Sequence, residues 1–254
     1  MLHALLSLAL LGSPLDGILT DQERQAAVAT ASREELETAM RETPVDRLIQ
    51  IGQKAVVALG TYSYRMKKQE RVKGELLPVQ EIVATVRETP YAVRLEYMKG
   101  DGKGRRVLFN PSLRKDQFRV KEAGFLSIFG GLWIDVDSGL AKKDSNHTIR
   151  EAGYGVLLAR FVHDFGKAAP MGGFGVKYEG WNPAGQFCSM WTSPNGGVGF
   201  DSATTRICTD LSTGLPGLVE SFDLKGVLIE RYEFSDLRKQ TVAANFFEPA
   251  GAGL

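Results

Sequence analysis

Gly60-Thr61-Tyr62-Ser63-Tyr64-Arg65-Met66-Lys67 places aromatic or apolar side chains at even positions and polar ones between them from Thr61 onward. A period of two is the mark of a strand with one buried face. Tyr91, Val93, Leu95 and Tyr97 repeat the alternation opposite Arg94 and Glu96, so the face carrying the charges is expected to be wet. Runs at 81–87, 105–110 and 117–121 add strands, set apart by the turn sequences Gly100-Asp101-Gly102-Lys103-Gly104 and Asn110-Pro111-Ser112. Such close spacing predicts an antiparallel meander, whose apolar face must be covered by helices, a second sheet or a ligand. Five more strand-like runs lie at 174–178, 186–191, 204–209, 218–222 and 227–234, the last two joined across Asp223-Leu224-Lys225-Gly226.

Helical periodicity flanks and interrupts the strands. Thr20-Asp21-Gln22-Glu23 has the form of a capping box and predicts one helix through about Met40. Thr43-Pro44 opens another, with Pro at the first helical position and Val45, Leu48, Ile49, Gly52 and Val56 on one face. Thr148-Ile149-Arg150-Glu151 is a second capping box, followed by a stripe of Tyr154, Leu157, Leu158, Phe161, Val162 and Phe165 ending near Gly166. This last helix is expected to fill the concave side of the sheet. Residues 1–15 read as a signal peptide, 16–43 as an N-terminal helical segment and 44–254 as one sheet domain, which places the protein in the periplasm.

Composition excludes several functions. Lys plus Arg (31) balance Asp plus Glu (30), so no positive field draws nucleic acid. Cys188 and Cys208, on runs expected to be adjacent, are read either as a disulfide or as two small buried residues, the first being favoured for an exported chain. His147 and His163 have no partners at motif spacing and are read as structural, and His3 falls in the presumed signal. Asp135-Val136-Asp137-Ser138-Gly139 resembles the start of a calcium loop, but Asn146 stands where the closing glutamate is needed, so it is read as a turn. The glycine clusters at 171–175 and 195–199 lack a phosphate-binding lysine, and no GxSxG elbow occurs. No catalytic residue, metal or cofactor is expected; a hydrolase built from the scattered acids Glu70, Glu88 and Asp135 is the minor rival.

The apolar run 125–134, broken by Gly130 and Gly131, is read either as core or as a lid contacting acyl chains. The candidate ligand-binding residues are accordingly Phe125, Leu126, Ile128, Phe129, Leu132 and Trp133, with Tyr154, Leu158 and Phe161 from the helix stripe.

Three blocks in order, Gly60-Thr61-Tyr62-Ser63-Tyr64 leading to Gln69-Glu70-Arg71-Val72-Lys73-Gly74, Val86-Arg87-Glu88-Thr89-Pro90-Tyr91-Ala92-Val93, and Gly104-Arg105-Arg106-Val107-Leu108-Phe109-Asn110, resemble the bacterial domain of unknown function 1571. That family is similar in organisation to LolA-like lipoprotein carriers. The resemblance implies an α+β fold, a curved antiparallel sheet or incomplete barrel wrapped around helices, with an apolar cavity. It further implies a non-catalytic periplasmic carrier whose partner is a lipid or acylated protein. The rival expectation is an envelope structural or assembly protein with a filled core, binding envelope proteins through its surface. Neither reading includes nucleic acid or a transmembrane helix.

Overall fold

The structure is a computed structural model and describes residues 21–124 and 130–254. The presumed signal and Thr20 therefore lie outside the described residues. Three helices lead the chain: α1 (Asp21–Thr30), α2 (Arg33–Glu42) and α3 (Val45–Leu59). The single helix expected from Thr20 to Met40 is in fact two. Ser32 breaks it, because its hydroxyl accepts from the Glu35 N–H while the Glu35 carboxylate accepts from the Ser32 N–H, a complete capping box in mid-segment. Pro44 stands at the N-cap of α3, one position before the expected one. Gly52 in α3 permits close packing: a Cβ there would meet Leu158 at 3.1 Å and the Gly214 carbonyl at 3.2 Å.

Seven strands follow: β1 (Thr61–Val72), β2 (Glu75–Leu76), β3 (Gln80–Arg87), β4 (Ala92–Lys99), β5 (Arg106–Phe109), β6 (Gln117–Lys121) and β7 (Leu132–Asp135). The helix α4 (Tyr154–Ala168) then separates them from β8 (Gly175–Trp181), β9 (Phe187–Thr192), β10 (Thr204–Asp210), β11 (Leu215–Phe222) and β12 (Leu228–Lys239), and a short α5 (Pro249–Ala252) ends the chain. All twelve described strands belong to one antiparallel sheet in the order β7-β6-β5-β4-β3-β1-β12-β11-β10-β9-β8, with β2 paired to β1. The sheet is open, since its end strands β7 and β8 are not paired with each other. The two meanders join at its middle, where β1 pairs with β12 from Tyr62↔Lys239 to Glu70↔Glu230.

The box at Thr148 and Glu151 caps a 3-10 turn (Ile149–Glu151) rather than α4 itself. Gly153, at φ 101°, redirects the chain, and α4 runs from Tyr154 past Gly166 to Ala168. The charged face of β4, expected to be wet, is covered in part. Residues of the C-terminal segment fold over it, burying Phe247 and Ala252 with Ala92 and Leu108, and Arg94 and Arg87 lie over the rings of Phe246 and Phe247. On the concave side the main core joins Tyr62, Tyr64, Ile82, Val86, Val93 and Phe109 to Tyr154 and Leu158. A second cluster seats Leu36, Ala39 and Met40 of α2 against Ile51, Phe187 and Leu211.

Candidate functional site

The first turn of α4 is bonded to the sheet. Tyr62 donates to Glu88 Oε1 at 2.5 Å and accepts the Tyr154 N–H at 2.8 Å, and Tyr154 donates its own hydroxyl to the Pro216 carbonyl at 3.1 Å. The rings of Tyr62, Tyr64, Tyr154 and Phe234 stack in mutual contact at 5.2–6.0 Å. Burial raises the hydroxyl pKa of all three tyrosines, so they stay neutral, and Tyr62 and Tyr154 act as donors.

Two turns on, α4 leaves space. Its Leu157, Phe161 and Phe165 face Trp191, Ile207 and Val219 across an open cleft. A second cleft lies between α4, the β9–β11 strands and Met40, Leu48 and Ile51 of the N-terminal helices. The two share Phe161, Trp191 and Ile207. Phe161 and Phe174 both contact the Trp191 ring at 5.8 Å, giving an aromatic divide between them.

Polar side chains also line the first cleft, Arg160, Asp164, Asp201, Ser221, Glu230 and Tyr232 among them. Behind them lies a charged cluster. His147 bonds Glu151 through Nδ1 at 2.7 Å and Glu230 through Nε2 at 2.6 Å. Glu70 accepts the Asn146 N–H at 2.7 Å, a hydrogen bond from Tyr232 and the Lys68 ammonium at 3.3 Å. Glu70 and Glu230 are buried, at 1% and 5% exposure. Burial opposes the charge on His147, but the bonds to Glu151 and Glu230 outweigh it and hold its pKa up at about 9. Burial likewise resists ionisation of Glu151, and the bonds from His147 and Thr148 overcome this, lowering its pKa to about 2. The cluster pins the segment before α4 onto β1 and β12. His147, read from the sequence as lacking partners, has two carboxylates; they come from 4 and 83 residues away.

Of the predicted ligand residues, Leu158 and Phe161 line the clefts. Tyr154 does not: it is 3% exposed and belongs to the tyrosine stack, because its hydroxyl is drawn to Pro216. Leu132 and Trp133 are also outside both clefts, on the sheet-edge strand β7, where Leu132 is 63% exposed and Trp133 is flanked by the guanidinium groups of Arg114 and Arg119. Phe125, Leu126, Ile128 and Phe129 lie outside the described residues. Cys188 and Cys208 face each other across β9 and β10, Cα to Cα 3.9 Å, and their sulfurs are bonded. Glu70, Glu88 and Asp135 do not gather into one site: Glu88 serves the tyrosine stack, and Asp135 caps its own turn by accepting the Asp137 N–H. No described helix is long and apolar enough to cross a membrane.

A family model described as "Protein of unknown function (DUF1571)" matches residues 59–252. No curated protein matches the sequence. Among solved structures, the fold is similar to lipoprotein LppX from Mycobacterium tuberculosis, at 16% identity and a TM-score of 0.43 over 79% of this chain and 99% of that one. It is also similar to a putative outer membrane lipoprotein-sorting protein domain from Vibrio parahaemolyticus, at 15% identity and TM-score 0.38 over 80% and 97% of the two chains. A LolA superfamily protein from Nitrosomonas europaea is similar at 7% identity and TM-score 0.36, covering 81% and 97%.

Proposed function

The chain belongs to the family of domain of unknown function 1571, whose match takes in every strand of the sheet and α4, and from this premise we propose a non-catalytic binding protein that holds acyl chains of a lipid or acylated protein beside α4. The observation that carries the proposal is the pair of apolar clefts meeting at Phe161, Trp191 and Ile207. Clefts lined by aromatic and aliphatic side chains together with polar groups suit an amphiphile. Each methylene moved from water into such a cleft contributes about 0.8 kcal/mol, so a chain of about ten gains enough to offset the cost of immobilising it. No reacting group is required. A periplasmic or other envelope location fits the bonded Cys188 and Cys208, because disulfides persist in oxidising compartments.

A second reading, an envelope assembly protein that binds partners on its surface, is favoured by the other half of the sheet, where the tyrosine stack fills the concavity. One experiment separates the two. Protein purified from its own host is extracted for lipid mass spectrometry, and the stripped protein is titrated with a fluorescent fatty acid. Co-purified acyl lipid and saturable displacement of the probe support the carrier. Empty protein that leaves the probe free supports the assembly reading and ends the first.

A further inference from the structure

Glu70 and Glu230 are direct cross-strand partners in the β1–β12 register, and both are buried. Like charges directly opposite each other in a sheet repel, and burial makes the repulsion costly. The arrangement calls for a cation. His147 completes it from the segment before α4, its imidazole held by Glu151 through Nδ1 so that Nε2 points at Glu230. Glu70, Glu151 and Glu230 outnumber the neighbouring cations Lys68 and Arg160. A metal ion is a cation that suits these ligands.

We propose that Glu70, His147 and Glu230 bind a divalent first-row transition-metal ion, entering from the first cleft. One ligand atom from each of the three lies within 4.8 Å of the others. Ligands about 2.0–2.2 Å from a tetrahedral ion stand about 3.3–3.6 Å apart, so the ion would part His147 Nε2 from Glu230 Oε2, which lie 2.6 Å apart, and draw the farther ligand atoms together by about 1 Å. One imidazole and two carboxylates suit zinc, manganese or iron(II) better than calcium or magnesium, which prefer oxygen alone. A carboxylate on the far ring nitrogen is the usual outer-shell support of a metal-bound histidine, and Glu151 occupies that place. Glu230 and Tyr232 line the cleft, which supplies the route. Lys68, 3.3 Å from Glu70, and Arg160, 3.5 Å from His147 Nδ1, work against the ion by like charge. The site does not depend on the acyl-binding reading.

Metal-stripped full-length protein is titrated with Zn²⁺ and with Mn²⁺ by calorimetry and native mass spectrometry, with Mg²⁺ and Ca²⁺ as controls. One Zn²⁺ or Mn²⁺ per chain is expected, with Mg²⁺ and Ca²⁺ bound at least about tenfold more weakly. Glu151→Gln, which keeps all three ligands, should weaken binding about 10–100-fold, and His147→Gln should abolish it. Lys68→Met should tighten it. Circular dichroism checks that each variant is folded. Crystals of the wild-type protein soaked in Zn²⁺ provide a test that needs no variant, by an anomalous peak between the three side chains. No wild-type binding below about 1 mM, which is only about 4 kcal/mol of affinity, would overturn the proposal. So would an ion seated elsewhere, or binding unchanged by His147→Gln in a folded variant.

Discussion

At its first turn α4 is tied to the sheet by hydroxyl groups, and two turns later it stands off from it. The tied half, under β1, β3 and β4, is filled by Tyr62, Tyr64 and Tyr154, and the hydrogen bonds of Tyr62 and Tyr154 fix the distance between helix and sheet. The standing-off half, under β9–β11, has Phe161 and Phe165 facing Trp191 and Ile207 with clefts between them. What separates the halves is that, in the first, the hydroxyl tips of Tyr62 and Tyr154 meet backbone groups. Tyrosines set a spacing, whereas phenylalanines leave it to be filled. In the open half a covalent cross-link, Cys188 to Cys208, holds the wall in place of close packing.

The contrast can be broken first in the filled half. Tyr64→Ala removes a side chain that is 3% exposed and should cost about 3–5 kcal/mol in denaturant unfolding. A cost below that of a surface substitution would mean the stack is not what holds α4. Next comes the cross-link. Replacing both Cys188 and Cys208 by Ala opens a loop closed over a sequence separation of 20, worth about 3 kcal/mol in chain entropy. The loss should appear as a lower Tm measured without reductant, and as insensitivity of the variant to added reductant.

Phe161→Ala sharpens the comparison, because the side chain is only half-buried and lines both clefts. Stability should fall by only about 1–2 kcal/mol, while affinity for a fluorescent fatty acid drops about tenfold or more. The reverse pattern would make the open half ordinary core. The smallest effect belongs to Asp164, at the rim of the first cleft, whose pKa is raised above the usual 3.8 by burial and by Asp201. A carboxyl with a raised folded-state pKa binds its proton more tightly when folded, so its charge opposes folding at neutral pH. Asp164→Asn should therefore raise Tm slightly at pH 7, and the advantage should close as pH falls toward 3.8. An advantage that grows on acidification would reverse the assigned sign.

The sheet was legible because its alternation is local: Tyr62 and Tyr64 announce β1, and Val93 and Leu95 announce β4, within a few residues. Helix breaks were less so. In sequence Ser32 and Glu35 match the capping-box pattern as well as Thr20 and Glu23 do, and the continuous helical pattern around them hid it. The charged cluster was missed because its bonds join β1, the segment before α4 and β12, with no spacing to mark them. A signal was nonetheless present. The row that begins Tyr62, Tyr64, Met66 continues on the same face to Lys68 and Glu70, and β12 carries Glu230 two positions before Tyr232. Charges on an inward row mark a partner across the sheet. The covering of β4 by Phe246 and Phe247 left no such trace, since a segment returning from the C-terminus has no periodicity to declare.

The pairing of β1 with β12 also governs the order in which the molecule can come together. Tyr62 meets Lys239 only after 177 further residues have been made, and this seam is the middle of the sheet rather than its margin. A chain emerging from the ribosome can assemble the β3–β7 meander early, because each strand pairs with its neighbour in sequence. The outer side of β1 has to wait until the last strand arrives. Contacts of such separation make folding slow, and they prevent a growing chain from closing prematurely.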